Sequence, residues 1–214
     1  MALQVEMLTV GQVAENCFLL RPQGGDRLIV IDPGEEAERI LAAVEATGAS
    51  VEAILITHCH FDHIGAVAPV AKATGAPVYC PEFEVPILAD IMRWVPWEGF
   101  GPYESYEADE VVNGDETLGL AGLELDVIHT PGHSPGHVTY AVRGEPAIFS
   151  GDVLFQGSVG RTDLPGSHGP TLLASLGKLL ETFSDETVVH PGHMGLTTLG
   201  AERATNPFLG SLTR

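Results

Sequence analysis

The stretch Ala53-Ile54-Leu55-Ile56-Thr57-His58-Cys59-His60-Phe61-Asp62-His63 runs from a short apolar strand directly into three histidines and an aspartate. Alternate side chains of an extended chain face the same way, so His58, His60 and Asp62 can converge on one point. His63 adds a fourth donor where the next helix begins. Imidazoles with a carboxylate suit Zn²⁺, and also Fe or Mn. The crevice beyond strand ends is where α/β-type sheets place ligands. The same alternation turns Cys59 away from the convergence point and gives it a buried structural role. Four donors from one segment cannot all serve one ion in good geometry, so further ligands must come from elsewhere.

Three later turns offer them. His133 lies in Thr130-Pro131-Gly132-His133-Ser134-Pro135-Gly136-His137, Asp152 in Ser150-Gly151-Asp152, and His193 in Pro191-Gly192-His193. Each follows an apolar strand and a glycine-bearing turn, which is how ligands are presented along one sheet edge. Asp32, in Ile31-Asp32-Pro33-Gly34, also ends a strand and can orient a ligating histidine through its outer nitrogen. His137 follows Pro135-Gly136, which rules out a helical pair with His133 and points to a strand-start hydrogen bond. His129, His168 and His190 read as structural or surface residues. Of these, His168 is the candidate substrate contact, because it lies on the long loop after Asp152. Arg161 is the candidate for an anionic group, with internal pairing to Asp163 as the alternative.

In their order and wording these motifs resemble the metallo-β-lactamase-fold hydrolases over essentially the whole chain. The resemblance implies an α+β fold, an αββα four-layer sandwich with a two-metal site between the inner sheet edges. It implies His58, His60 and His133 on one ion, Asp62, His63 and His193 on the other, and Asp152 bridging. The runs Phe149–Phe155 and Gly160-Arg161-Thr162-Asp163, with the tail Thr198–Arg203 and Asn206-Pro207-Phe208, look like the short members of the glyoxalase II branch. Those hydroxyacylglutathione hydrolase-like enzymes cleave thioesters such as S-lactoylglutathione. Their activity implies attack by a metal-bridging hydroxide, with Asp62 and Asp152 as the catalytic carboxylates and a small anionic thioester as substrate. Residues 194–214 leave no room for the glutathione-binding helical domain of longer members, so one domain over 1–214 is expected. A persulfide dioxygenase-like branch shares the Gly160–Asp163 run and implies instead one iron held by His58, His133 and Asp152.

Outward from the motifs, β-rich runs are expected at Leu3–Leu8, Cys17–Leu20, Leu28–Ile31, Ala53–Thr57 and Val78–Cys80. Further strands are expected at Leu118–Leu120, Leu123–His129, Val138–Val142, Ala147–Ser150 and Thr187–His190. Helical spacing marks Ala37–Thr47, Ile64–Thr74, Val85–Arg93 and Thr171–Phe183. Residues 94–113 read as an irregular aromatic loop, either a lid or a packed excursion. The 214 residues carry ten Lys plus Arg against 29 Asp plus Glu, a formal charge of −19, which argues against nucleic acid as a partner. No secretory signal or membrane-length apolar run is present, and three cysteines without paired spacing suit a cytoplasmic protein.

Overall fold

The computed structural model describes residues 2–210 and 212. The first half contains strands β1 (Leu3–Val10), β2 (Glu15–Pro22), β3 (Arg27–Ile31), β4 (Ser50–Leu55), β5 (Val78–Pro81) and β6 (Glu110–Val112). Between them lie helices α1 (Ala37–Thr47), α2 (Phe61–Ile64), α3 (Val67–Thr74), α4 (Val85–Leu88) and α5 (Ile91–Trp94). The second half contains β7 (Thr117–Leu120), β8 (Leu123–His129), β9 (Val138–Val142), β10 (Ala147–Gly151), β11 (Leu154–Phe155) and β12 (Ser158–Val159). It closes with α6 (Gly169–Thr182), β13 (Val188–Pro191), β14 (Thr197–Thr198) and α7 (Leu199–Thr205).

The first six strands form one sheet in chain order, and a second sheet runs β14-β13-β10-β9-β8-β7. Strand β3 shows why the layers stack. Every residue from Leu28 to Ile31 is apolar and buried, so both faces need cover. Leu28 and Val30 join Ile40 and Val44 of α1 and Val67 and Val70 of α3 in an outer core. Ile29 and Ile31 turn the other way, to Val127, Tyr140 and Phe149 of the second sheet. Ile148 and Val189 on that sheet's far face meet Leu172, Leu176 and Leu179 of α6. Burying each such Leu or Ile contributes ~1.5–3 kcal/mol, and the alternation yields the four layers αββα expected above.

The sheets are also stitched by hydrogen bonds close to the ends that carry the motifs. Tyr140 Oη donates to Ile56 O (2.8 Å), and Val138 N to Thr57 O (2.9 Å). Asn16 on β2 donates through Nδ2 to Pro191 O (3.0 Å) and Met194 O (2.9 Å).

Several expected elements differ. The helix expected over Ile64–Thr74 is two helices, because Ala66 N donates to Pro33 O across the chain instead of continuing α2. The one expected over Val85–Arg93 breaks at Asp90, and Ile91 N is taken by the Ser105 hydroxyl. The loop 94–113 ends in a strand, β6, parallel to β5. Phe100, Tyr103 and Tyr106 pack on the outer core, while Trp94 and Trp97 line a cleft. In the tail, buried Glu202 accepts from Thr197 Oγ1, Gly157 N and Asn206 Nδ2, tying α7 to the β11–β12 hairpin that follows Asp152. No helix among the described residues is long and apolar enough to cross a membrane.

Candidate metal centre

His58, His60, Asp62, His63, His133, Asp152 and His193 meet at one edge of the sandwich, although they come from four separate turns. The Nδ1 of His60 lies 3.1 Å from His58 Nε2 and 2.8 Å from His133 Nε2. On the other side, His193 Nε2 is 3.2 Å and His63 Nε2 3.9 Å from Asp62 Oδ2. Asp152 lies between the two groups. Its Oδ1 is 3.3 Å from His63 Nε2, and its Oδ2 is 3.5 Å from both His133 Nε2 and His193 Nε2.

The outer nitrogens explain how the rings are held. His58 Nδ1 lies 3.1 Å from Thr57 Oγ1, which in turn donates to Asp32 Oδ2 at 2.6 Å. His63 Nδ1 is 3.0 Å from Asp32 Oδ2, His133 Nδ1 is 2.9 Å from Arg161 O, and His193 Nδ1 is 3.3 Å from Ala14 O. An acceptor at these four outer nitrogens keeps the proton there and leaves a lone pair aimed at the centre, the usual support of a metal-ligating histidine. Asp32 thus takes the orienting role expected of it and serves two rings.

Charge tells the same story. Burial, and then His63 and His60, push His58 well below the usual imidazole range. Burial and then His133 take His60 down to about 3. These rings cannot be protonated near neutrality and stand as Lewis bases. His63 differs: burial opposes its charge, but Asp152, Asp62 and Asp32 raise it well above the usual range. Burial likewise pushes the Glu15 carboxyl, 3.7 Å from His63 Nδ1, well up. A neutral His63 would face Asp152 Oδ1 acceptor to acceptor, and among the described residues both buried atoms lack a hydrogen-bond partner. Cations at this point would satisfy both, so the donor set fits metal ions.

Glycines let the ligand turns close. A Cβ on Gly192 would stand 2.3 Å from Asp152 Oδ1 and 2.6 Å from His63 Cε1. Gly132 has φ +130°, and a Cβ there would overlap Leu172 N. Both Pro-Gly-His turns therefore need glycine for backbone approach. Gly192→Ala is expected to weaken metal retention at least ~10-fold by displacing these ligands, as loss of supporting contacts does. Elemental analysis after dialysis against a weak chelator checks this, and unchanged metal content would refute it.

Three supporting residues were not legible as such beforehand. His137, whose carbonyl does accept the strand-start bond from Thr130 N, is fully buried. Its Nε2 accepts Asp152 N at 3.0 Å, and its ring stacks on His58. Buried Glu84 accepts from Cys59 N, Ser134 Oγ and Gly136 N, joining the His58–His63 turn to the His133 turn. Glu15 sits behind His63. Cys59 is buried with its Sγ 3.6 Å from that of Cys80, turned to the core as alternation requires. His190 is buried on Phe149, and His129 meets Pro135 O. Arg161 lines the cleft and pairs with Asp163 at 2.7 and 2.8 Å. His168, by contrast, is exposed at the start of α6 and bonds Thr171 Oγ1, apart from the residues that line the cleft.

The chain is similar to the hydroxyacylglutathione hydrolase GloC of Haemophilus influenzae, 32% identical over 98% of this chain and 99% of that protein. Among solved structures it is similar to the BLEG-1 B3 metallo-beta-lactamase, with TM-score 0.91, 37% identity, and coverage of 97% of this chain and 100% of that one. It is likewise similar to TTHA1623 in a di-iron-bound form, with TM-score 0.85, 42% identity, and coverage of 95% and 100%. Residues 10–193 match the family described as the metallo-beta-lactamase superfamily. With that match and the geometry above, the chain belongs to the metallo-beta-lactamase superfamily, whose members include metal-dependent hydrolases.

Proposed function

We propose that this protein is a dinuclear metallo-hydrolase of thioesters, of the hydroxyacylglutathione type. The observation that carries the reading is the placement of Asp152 between two complete donor groups, with one carboxyl oxygen toward His63 and the other toward His133 and His193. In this reading His58, His60 and His133 hold one ion, and Asp62, His63 and His193 the other, with Asp152 shared. Two divalent ions, Zn²⁺ in the first instance with Fe or Mn as alternatives, would supply a nucleophile at neutral pH and polarise a carbonyl.

The residues around the site narrow the chemistry. Asp62 is half-buried at the floor of the cleft and can orient the attacking water as an acceptor. The cleft lining contains no lysine or tyrosine, and its histidines are all assigned as ligands. An amine leaving group would need Asp62 to hand on the proton it takes from the water. A thiol, with a pKa of about 8.5, departs as thiolate without that help, which favours thioesters over amides. Arg93 and Arg161 at the cleft wall suit an anionic substrate on a chain of formal charge −19. The similarity to GloC supports the same substrate class. A mononuclear iron site of the persulfide dioxygenase kind would use only His58, His133 and Asp152, leaving the paired Asp62, His63 and His193 without a task.

Elemental analysis of purified protein, with assays of S-lactoylglutathione hydrolysis and of oxygen uptake on glutathione persulfide, tests the reading. Close to two metals per chain and thioester cleavage that disappears in His58→Ala are expected. One iron per chain, with oxygen uptake and no hydrolysis, would replace the reading with the dioxygenase one.

A further inference from the structure

The metal centre opens into a cleft of about 1150 Å³, larger than a lactoyl group requires. Its walls are unusual for an acidic surface. Phe61, Phe83, Ile87, Trp94 and Trp97 line it, and three of these are among the exposed large apolar residues, Phe83 at 64%, Trp94 at 47% and Trp97 at 45%. The apolar wall starts at the ligands themselves. Phe61 lies between His60 and Asp62 in the chain, and its ring contacts Trp97 edge-on at 5.9 Å and Phe100 at 4.8 Å. Phe100 and Tyr103 hold that face against the outer core, so Trp97 rests on a fixed platform. Apolar surface of this extent that is left open usually awaits an apolar group.

The charges are equally selective. The cleft has two cations. Both lie over a tryptophan ring at 5.8 Å, Arg161 over Trp97 and Arg93 over Trp94, but Arg161 is also held by both oxygens of Asp163, whereas Arg93 has no acidic partner among the described residues. A substrate with an apolar arm beside the reacting carbonyl and a carboxylate farther out would meet Phe61 and Trp97 with the first and Arg93 with the second.

Resting on the thioesterase reading, we infer that the preferred substrates are anionic thioesters with a bulky apolar acyl group, arylacyl above all, and that Trp97 sets this preference. A small polar acyl group such as lactoyl would leave the wall wet and lose the apolar contribution.

The test compares S-phenylacetylglutathione with S-acetylglutathione on the metal-loaded protein, two thioesters that differ by one phenyl ring. The expected kcat/KM ratio is at least tenfold in favour of phenylacetyl, shrinking below about threefold in Trp97→Ala, since one buried apolar group discriminates by roughly 10–200-fold. Equal cleavage of both would overturn this inference and leave the thioesterase reading standing. Cleavage of neither would overturn the thioesterase reading and, with it, the thioester class named here.

A binding measurement reports on the wall without turnover. Trp94 and Trp97 are the chain's two tryptophans, so intrinsic fluorescence reads this cleft directly. Titration with 4-phenylbutyrate is expected to shift the emission with an apparent Kd at least tenfold below that of butyrate, which carries the same carboxylate without the ring. Arg93→Gln should weaken 4-phenylbutyrate several-fold. Equal affinities for the two acids, or unchanged emission at saturation, would overturn the assignment of the wall.

Discussion

Asp152→Asn is expected to reduce thioester kcat/KM on the order of 10³-fold or more and to lower metal content from near two per chain to one or less. The reason is positional. Asp152 faces His63 with one oxygen and His133 and His193 with the other, and its backbone N is pinned by His137. Burial works against its negative charge, yet His63, His193 and His133 hold its carboxyl well below the usual carboxylate range. The amide keeps the shape but loses the charge, and its NH₂ must point at one donor group or the other. Whichever group it faces meets hydrogens where a lone pair is needed. The fold should survive, because the side chain spans no hydrophobic core and the main-chain bond to His137 is retained. Circular dichroism, elemental analysis and a thioester assay on one preparation check this. A folded variant with two metals and near-normal turnover would show that Asp152 is not shared between the ions.

The clustered donors were legible because each announces itself locally. A strand, a glycine-bearing turn and a donor recur at His133, Asp152 and His193, and the period of two within His58–Asp62 can be read without knowing any distant contact. The layers were legible for a similar reason, since β3 is apolar at consecutive positions and must be covered on both faces. What escaped depends on contacts between residues far apart in the chain. Nothing near Glu84 signals that it will receive donors from positions 59, 134 and 136. Glu15 falls between the expected strands Leu3–Leu8 and Cys17–Leu20, and only the longer β2 brings it behind His63. The short strands β6 and β14 carry too few residues for periodicity to show and exist because a neighbouring strand edge is available. The aromatic loop is divided between core and cleft by packing against Phe61, which its own sequence does not encode.

Glu84 is where such a hidden contact should have the largest effect on stability. Its Oε1 accepts from Ser134 Oγ at 2.6 Å and Gly136 N at 2.8 Å, and its Oε2 accepts from Cys59 N at 3.1 Å, all inside the protein. Truncation to alanine leaves three buried donors unpaired at about 1–3 kcal/mol each, so Glu84→Ala should cost on the order of 3–9 kcal/mol. For a domain of this size each kcal/mol moves Tm by about 2–4 °C, which puts the drop at roughly 6 °C or more. Glu84→Gln is the informative partner. The glutamine carbonyl can still serve Ser134 and Gly136, but its NH₂ then confronts Cys59 N, donor against donor. One pair is lost rather than three, and the expected cost is about 1–3 kcal/mol. The metal should respond in step, because Cys59 sits between His58 and His60, and Ser134 follows His133. Loosening either turn spreads the three nitrogens that now stand within 3.1 Å along the His60 edge. Metal affinity is therefore expected to fall about 10–100-fold in Glu84→Ala and less in Glu84→Gln. Thermal unfolding with and without added Zn²⁺ separates the two effects. A Glu84→Ala protein that melts like wild type and keeps its metals would mean that the two ligand turns are held together by the sheets beneath them, and that Glu84 only fills space.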